Sequence, residues 1–537
     1  MPRHGGERTS RRFGMSQPRT QFQQSSNHTS ATLRTITLFV FAGSFLAYVL
    51  LLTKNFYWDG IFFAQVIEDA PRINATLIHP SHLIDQVLGY IAYRATRFFG
   101  LNLRALTVLQ LSNCFFGAAA AAVFFRVCVD CFRSRYVSLV ATALFAFSAT
   151  WWRFATDSDT YVVTVLVLLV NFYLLLPGRK SRPFVVAAAH ATAMLLHQLA
   201  VFFFPVAIGG LLLQSRRTNN KTSARTVLSY GLTAVAITSV FYYFAFHLST
   251  GAWSIARFLS WITYYSAENG FSFGAWGDLI YSLRSQLRTI FGGRVAFVRE
   301  FGGPMIILAA LTALALVALV FVLVRRWKEL RSDVTTAFEF AKSFKPLTIL
   351  CLLWIVPYVV FLFFFIPQNV FYRLFYLPAV ILLIGSVLAT IESSPNHVRR
   401  YRAALFAIAV FLANLTFSQY PYTQVRANPP LDLALRLNKV WPTGTVVYFS
   451  LPNTDGSLVR YFNPGTVWVQ VTPNELTQQL DHLPRTSRTA WLETTLLDQL
   501  EATAEGRAWL ATHAVRRSDS ELVNSKFRIR FYQLKSD

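Results

Sequence analysis

Charge is what this sequence has least of. Only 14% of its 537 residues are Asp, Glu, Lys or Arg, against about 25% in soluble domains. Soluble domains of about 150 residues would each need a polar coat, and these side chains, clustered between apolar runs, cannot supply one. A soluble multidomain protein is therefore excluded. Acids are scarcer still, 26 against 50 Lys and Arg. The net charge of +24 is nonetheless dispersed in short clusters and forms no continuous basic face, which excludes a nucleic-acid partner. Cys114, Cys128, Cys131 and Cys351 all lie in or beside apolar runs, so no disulfide framework is expected. Cys128-Val-Asp-Cys131 has no companion ligands for a metal. No repeat of fixed period and no Gly-rich phosphate loop is present.

Apolar and aromatic residues are in excess, with 54% hydrophobic residues, 49 Phe, 22 Tyr and 12 Trp. Runs of about 20 such residues cross roughly 30 Å of hydrocarbon. They occur near 35–53, 105–127, 136–152, 161–177, 226–247, 304–324, 347–366, 374–391 and 403–419. The stretch from Phe184 to Leu213 has purely basic flanks, Arg179 to Arg182 and Arg216 to Arg225. Basic flanks stay on the cytoplasmic side, which requires a hairpin of two short helices. The expectation is an α-helical polytopic membrane protein with about eleven spans, its N terminus inside and its C terminus outside. The inner segments then hold 25 Lys and Arg, the outer ones before residue 420 only 12. The membrane is a plasma or inner membrane, or the endoplasmic reticulum of a eukaryotic host.

Residues 1–34, rich in Arg, Ser and Gln, read as a disordered basic cytoplasmic tail without the pattern of a cleavable signal. Residues 35–419 form the transmembrane domain, with long outer loops at 54–104 and 248–303 that contain amphipathic aromatic stretches suited to an interface. From 420 to 537 the composition turns mixed and polar. Short β-rich runs near 445–450, 466–471 and 527–532 alternate with helical patterns near 474–483 and 496–512. That pattern predicts a small extracytoplasmic α/β domain.

Only 15 acids precede residue 420, and nine fall in outer loops. Asp59 follows the first span beside Tyr57 and Trp58, which suit an interfacial anchor. Asp157 and Asp159 occupy a very short loop between two spans. Ionised groups at a membrane boundary are costly unless solvated or paired, so they are functional candidates. The hairpin tip adds His197, and its short helices would leave a polar pit. Arg153 and Arg373 could meet anionic oxygens there, since guanidinium binds phosphate bidentately. The bland readings are helix caps for the acids, buried hydrogen-bonded rings for His79 and His197, and interfacial snorkelling for Arg373.

In their order, several segments resemble the membrane-embedded glycosyltransferases of the GT-C class, most closely the protein O-mannosyltransferase-like branch. They are Trp58-Asp59-Gly60, His79-Pro80, the run from Phe147 through Trp151-Trp152-Arg153 to Asp157-Ser-Asp159-Thr-Tyr161, and His197. The likeness covers residues 35 to about 215, then Phe371-Tyr-Arg-Leu-Phe-Tyr376. In that branch the second acidic motif reads Glu-Ala-Glu-Val-Tyr, one methylene longer at each acid.

The resemblance implies a GT-C-like fold and transfer of a sugar from a polyprenyl-phosphate donor, with mannose as the sugar the branch suggests. Transfer would occur at the outer face, with inversion. Asp59 would be the general base, Asp157 and Asp159 further catalytic acids, and His79, Arg153, Tyr161, His197 and Arg373 the substrate-binding residues. The partners implied are the lipid-linked donor, membrane lipid, and an acceptor that is a protein, a lipid or a glycan. A divalent metal stays open on the resemblance, and no ligand spacing in the sequence supports one. The rival classes are a transporter or lipid flippase without bond chemistry, and an accessory subunit of an envelope assembly.

Overall fold

A computed structural model describes residues 19–176, 178–179, 182–217, 223–269, 276–325, 345–392, 398–451, 454–479, 489–524 and 526–535. Among them, seven helices are long and apolar enough to cross a membrane: Ala31–Leu50, Ala105–Phe132, Gln198–Ser215, Ala224–Thr250, Gly303–Arg325, Lys345–Phe365 and Tyr401–Tyr422. An eighth is formed by Arg135–Ala146 and Ala149–Ala155, bent by 67° at their junction. The chain is an integral membrane protein. Three shorter apolar helices, Tyr161–Leu175, Pro183–Leu196 and Leu377–Ala389, occupy the remaining stretches of the eleven expected from the sequence. At 1.5 Å per residue each is shorter than the roughly 30 Å of hydrocarbon. Each stops at buried protein: Thr160, His197 and Tyr376 are at most 2% exposed. These three ends meet, with Tyr161 and His197 rings 5.4 Å apart and Phe375 4.7 Å from His197. The shortfall in length therefore sets these three ends against one another inside the protein, at one end of the bundle.

Ala105–Phe132 is the central strut, in contact with the first span, Arg135–Ala146 and Tyr161–Leu175. Its small residues permit close approach: a Cβ at Gly117 would lie 2.9 Å from that of Ala155 and 3.2 Å from the Tyr48 ring. Several polar groups inside the bundle are paired, where lipid offers them no partner. The Tyr48 hydroxyl donates to the Ala146 carbonyl (2.8 Å), and His190 Nδ1 lies 2.6 Å from the Tyr230 hydroxyl.

The C-terminal domain carries a five-stranded sheet in the order β2-β1-β3-β5-β4, with β1 Val446–Phe449, β2 Val467–Gln470, β3 Ala490–Glu493, β4 Ala514–Val523 and β5 Arg528–Leu534. β1 pairs in parallel with β2 and β3, whereas β5 runs antiparallel to β3 and β4. β1, β2 and β5 coincide with the β-rich runs of the sequence. β3 has only four residues, and β4 is a polar edge strand with Arg516 and Arg517, the composition that discourages edge pairing. The helical pattern at 496–512 is two helices, Thr494–Glu501 and Ala504–His513, the second capped by Thr503 Oγ1 accepting from the Gly506 N–H. The pattern at 474–483 forms Pro473–Gln479; its remainder lies outside the described residues, as do residues 1–18 of the expected disordered tail, whereas residues 19–34 of that tail are helical and continuous with the first span in Arg19–Leu50.

This domain sits at the same end of the bundle as those three helix ends. Asn428 Nδ2 donates to the Lys54 carbonyl (2.9 Å), and the Lys54 N–H donates to the carbonyl of Tyr422 (2.6 Å). Farther along the first loop, Arg104 grips Glu68 through Nε and Nη2 (2.7–3.0 Å), and the Tyr461 hydroxyl donates to the same carboxylate (2.9 Å). Tyr461 joins Ile61, Ala64 and Ile67 in one apolar cluster, and Phe462 stacks near Phe56 at 6.0 Å.

Candidate active site

The first loop enters the site through the helix Trp58–Asp69, which places Asp59 in its first turn, where the dipole favours a carboxylate. Gly60 lets this helix settle on the second loop, since a Cβ there would lie 2.1 Å from Ser158 Oγ. The central strut holds both loops. Gln110 Nε2 donates to the carbonyls of Thr53 (3.0 Å) and Thr156 (2.9 Å), and Asn113 Nδ2 donates to those of Asp157 (2.8 Å) and Asp159.

The acids gather here. Asp157 is fully buried and accepts from the N–H groups of Tyr57 (2.9 Å) and Ser158 (2.8 Å). Asp159 accepts from the Thr160 N–H through Oδ1 (2.7 Å), while its buried Oδ2 has no partner. Burial raises Asp59 to about 7, reinforced by the charge of Asp157. Burial also raises Asp157 to about 6, against the opposing pull of Arg153 and the two N–H donors. Asp159 is pushed well above the usual range, by burial first and then by Asp59 and Asp157. Asp85, at the start of the helix Asp85–Phe98, is raised by burial to about 7 and adds its charge to that felt by Asp159. Four carboxyls thus share one poorly solvated space.

Three histidines border it. His82 lies between His79 and His197, with ring separations of 5.5 and 4.5 Å, and its Nδ1 is 3.0 Å from Thr160 Oγ1. Burial holds His79 below its usual range and His82 well below it. His197 accepts the Leu199 N–H at Nδ1 (3.1 Å), so in the neutral ring the proton sits on Nε2, which is buried and without a partner. Among the described residues no group of three or more His, Cys, Asp or Glu side chains could hold a metal ion. Tyr161 stands at the centre, its ring 5.2 Å from Phe371 and 5.5 Å from Phe154.

On the other side of Tyr57, Phe154 and Phe371 lies a cavity of about 500 Å³ whose wall includes Arg153, Arg288, Arg294 and Tyr422. None of these three arginines is ion-paired among the described residues, and the buried Nε of Arg153 has no acceptor. The cavity wall is shaped by a π-helical turn, Leu415–Gln419, of the kind that recurs at functional sites. Gly293 (φ +93°) crosses it closely enough that a Cβ would lie 1.6 Å from the Phe417 carbonyl oxygen. Arg294 N–H donates to that carbonyl (2.8 Å).

Arg373 is placed differently from the sequence expectation of a phosphate-binding fork. It is 1% exposed and spends its donors on neutral acceptors. Nε donates to the Asn369 carbonyl, Nη1 to the Tyr376 hydroxyl and Gln286 Oε1, and Nη2 to Ser282 Oγ and the Pro367 carbonyl. It fixes the segment that carries Asn369 and Phe371 into the cavity wall. Asp59, Asp157, Asp159, His79, His197 and Tyr161 come together as one cluster, with Arg153 linking it to the cavity. The sequence reading missed Arg288, Arg294, His82, Asp85, Gln110 and Asn113. Two signals were available for some of them: five arginines in the outer loop 248–303, against the positive-inside tendency, and two amides three residues apart in an apolar span.

No family profile matches the sequence, and no curated protein matches it. Solved structures do match in fold. The crystal structure of ArnT from Cupriavidus metallidurans bound to undecaprenyl phosphate superposes with a TM-score of 0.56 at 11% identity, over 94% of this chain and 98% of that one. The same protein in the apo state gives 0.55 at 11% identity, over 95% and 98%. The chain therefore shares the fold of this ArnT and carries a small C-terminal sheet domain.

Proposed function

We propose that this protein is a glycosyltransferase that moves a sugar from a polyprenyl-phosphate-linked donor to an acceptor hydroxyl, with inversion, at the extracytoplasmic end of the bundle. The observation that carries this reading is the pairing of a cavity lined by three arginines without ion partners with a cluster of poorly solvated carboxyls, the two meeting at Tyr57. The undecaprenyl phosphate bound to the ArnT of similar fold supports a lipid phosphate as the occupant of such a cavity. The distribution of Lys and Arg supports placing this end outside, and the C-terminal domain with it.

Arg153, Arg288 and Arg294 receive the donor phosphate, and the sugar lies past Tyr57 toward Asp59. Asp59 removes the acceptor proton as the acceptor oxygen bonds to the anomeric carbon. The bond from that carbon to the phosphate oxygen breaks, and its electron pair leaves with the lipid phosphate, whose charge changes from about −1 to −2. The arginines stabilise that added charge. A base near neutrality suits this step, because its ionised form is present at pH 7 while it still accepts a proton readily. Asp157, fixed by the Tyr57 and Ser158 N–H groups, holds the entry of the Asp59 helix. The unpartnered His197 Nε2 and Asp159 Oδ2 are free to bind sugar hydroxyls. The Arg373 charge acts on the cavity through the wall that it holds. Mannose remains the sugar proposed from the resemblance.

The test is incubation of the purified protein with a panel of polyprenyl-phosphate sugars and acceptors, scoring release of polyprenyl phosphate. Acceptor-dependent release that Asp59→Asn abolishes is expected. Vectorial movement of an intact lipid-linked sugar across vesicles, with no release, would establish a transporter in its place.

A further inference from the structure

The C-terminal domain contains a feature that the proposed sugar transfer does not use. β1 lies between β2 and β3, all three parallel. The helix after β1, Thr454–Phe462, buries Leu458 and Val459 on one face of the sheet with Trp441, Val447 and Trp491. The helix after β3, Thr494–Glu501, buries Leu496, Leu497 and Leu500 on the other face. Where neighbouring parallel strands send their chains to opposite faces, a crevice opens at their carboxyl ends, and open α/β sheets bind ligands there. A cavity of about 70 Å³ occupies that position, lined by Phe449 and Leu451 after β1, Glu493 ending β3, Trp468, Ser457 and Arg460.

Its chemistry narrows the occupant. The space admits about five waters at roughly 10–15 Å³ each, or about 150 Å³ of liquid, which suits one hexose ring and not a nucleotide. Trp468 is half-buried, and its indole N–H is already taken by Thr466 Oγ1 (2.9 Å), so the ring offers carbon surface. Phe449 stands edge-on to it at 5.9 Å. Glu493 is 1% exposed and held by the Thr495 N–H (2.8 Å) and hydroxyl (2.6 Å) through Oε2. Among the described residues that line the crevice one acid and one guanidinium cancel in charge, which disfavours phosphate and ammonium ligands and suits hydroxyls, which both donate and accept. We infer that this crevice binds one uncharged monosaccharide unit. Its position gives the binding a use, because the helix that lends Ser457 and Arg460 to the crevice also seats Tyr461 on Glu68 of the Asp59 helix. That the unit belongs to a glycan acceptor rests on the proposed transfer reaction; the binding itself does not.

The experiment titrates the full-length protein in detergent with neutral monosaccharides and short neutral oligosaccharides, read by saturation-transfer NMR, with glucuronic acid and inorganic phosphate as charged probes. A neutral sugar is expected to bind, Trp468→Ala and the exposed Arg460→Gln each to weaken it about tenfold or more, Trp468→Phe to retain most of it, and Asp59→Asn to leave it unchanged. Absence of neutral-sugar binding, binding that survives both Trp468→Ala and Arg460→Gln, or preference for the charged probes would overturn the inference. Because Arg460→Gln alters an exposed side chain, the result stands even where Trp468→Ala does not fold. Sugar binding by a protein that releases no polyprenyl phosphate from any donor would refute the transfer reading and leave this one in place.

Discussion

The two sides of the Tyr57, Phe154 and Phe371 partition are built on opposite plans. On the acid side the framework is held by neighbouring groups, Asp157 by two N–H groups, the loop carbonyls by Gln110 and Asn113, His82 by Thr160, and Asp159 Oδ2 and His197 Nε2 stand without a partner within it. On the arginine side three guanidiniums line about 500 Å³ of space without an ion pair among the described residues, and only Arg153 extends its charge to the acid side, at Asp157. A region whose groups satisfy one another is prepared to do something to a ligand at a fixed geometry. One that leaves charge of a single sign unanswered is prepared to receive the opposite charge. In the proposed reaction this difference separates proton chemistry from anion binding, so that each side is expected to be disabled alone.

The largest effect is expected from Asp59→Asn, which keeps size and removes basicity. Turnover should fall by about 10²–10⁴-fold while donor affinity changes little, and Asp59→Glu should restore only part of it, because a shift near 1 Å can cost about 10²-fold. Rates of polyprenyl phosphate release, set beside donor titrations, measure both; an undiminished rate in a folded Asn variant moves the base to Asp157 or Asp159. Replacing Arg153 or Arg288 by Ala should instead weaken polyprenyl phosphate binding by roughly 10- to 100-fold each, with the rate at saturation much less affected. If affinity stays constant and turnover collapses, the two sides are not separable.

The pH profile sharpens the contrast. Burial and the neighbouring Asp157 raise Asp59 to about 7, and a base works only when ionised. The value of kcat/KM should therefore fall about tenfold per unit below that pH, while polyprenyl phosphate binding on the arginine side should not follow the same titration. The same shift has a sign for stability: a carboxyl raised in the folded state favours folding when protonated, and loses that contribution as pH rises from about 4 to about 7. Asp59→Asn should then gain thermal stability over the unmodified protein as pH rises through that window, which paired melting curves would detect. The smallest effect on binding is expected from Arg373→Ala. It should destabilise by about 3 kcal/mol or more through the buried carbonyls of Pro367 and Asn369 left without donors, read as a lower melting temperature. A folded variant with sharply reduced phosphate affinity would return Arg373 to direct binding.

The acid side was legible in the sequence because acids are rare in an apolar chain, so Asp59, Asp157 and Asp159 stand out by position alone. The hairpin was legible from its two basic flanks, and its tip at His197 does meet the first loop, where Gln198 donates to the Pro80 carbonyl. The arginine side was not. Arg288 and Arg294 are two of many arginines, and they reach Arg153 through long-range packing, with the Thr150 hydroxyl on the Arg288 carbonyl and Gly293 crossing close over Phe417. Arg373 misled because a lone arginine at a span boundary looks unpaired when its neutral acceptors, such as Ser282 and Gln286, lie some 90 positions away. β3, Ala490–Glu493, holds no β-branched residue, unlike the equally short β1 and β2, and β4 was too polar to suggest a strand.

The grip of Tyr461 on Glu68 has a consequence in time. The two residues are 393 positions apart, and at a synthesis rate of about 5–20 residues per second roughly 20 to 80 s separate their appearance on the growing chain. The helix that bears Asp59 is thus threaded, inserted and left without its outer support while the rest of the protein is made. An unfinished or prematurely terminated chain carries every acid of the cluster without the brace that aligns them, so competence toward substrate arrives with the last domain.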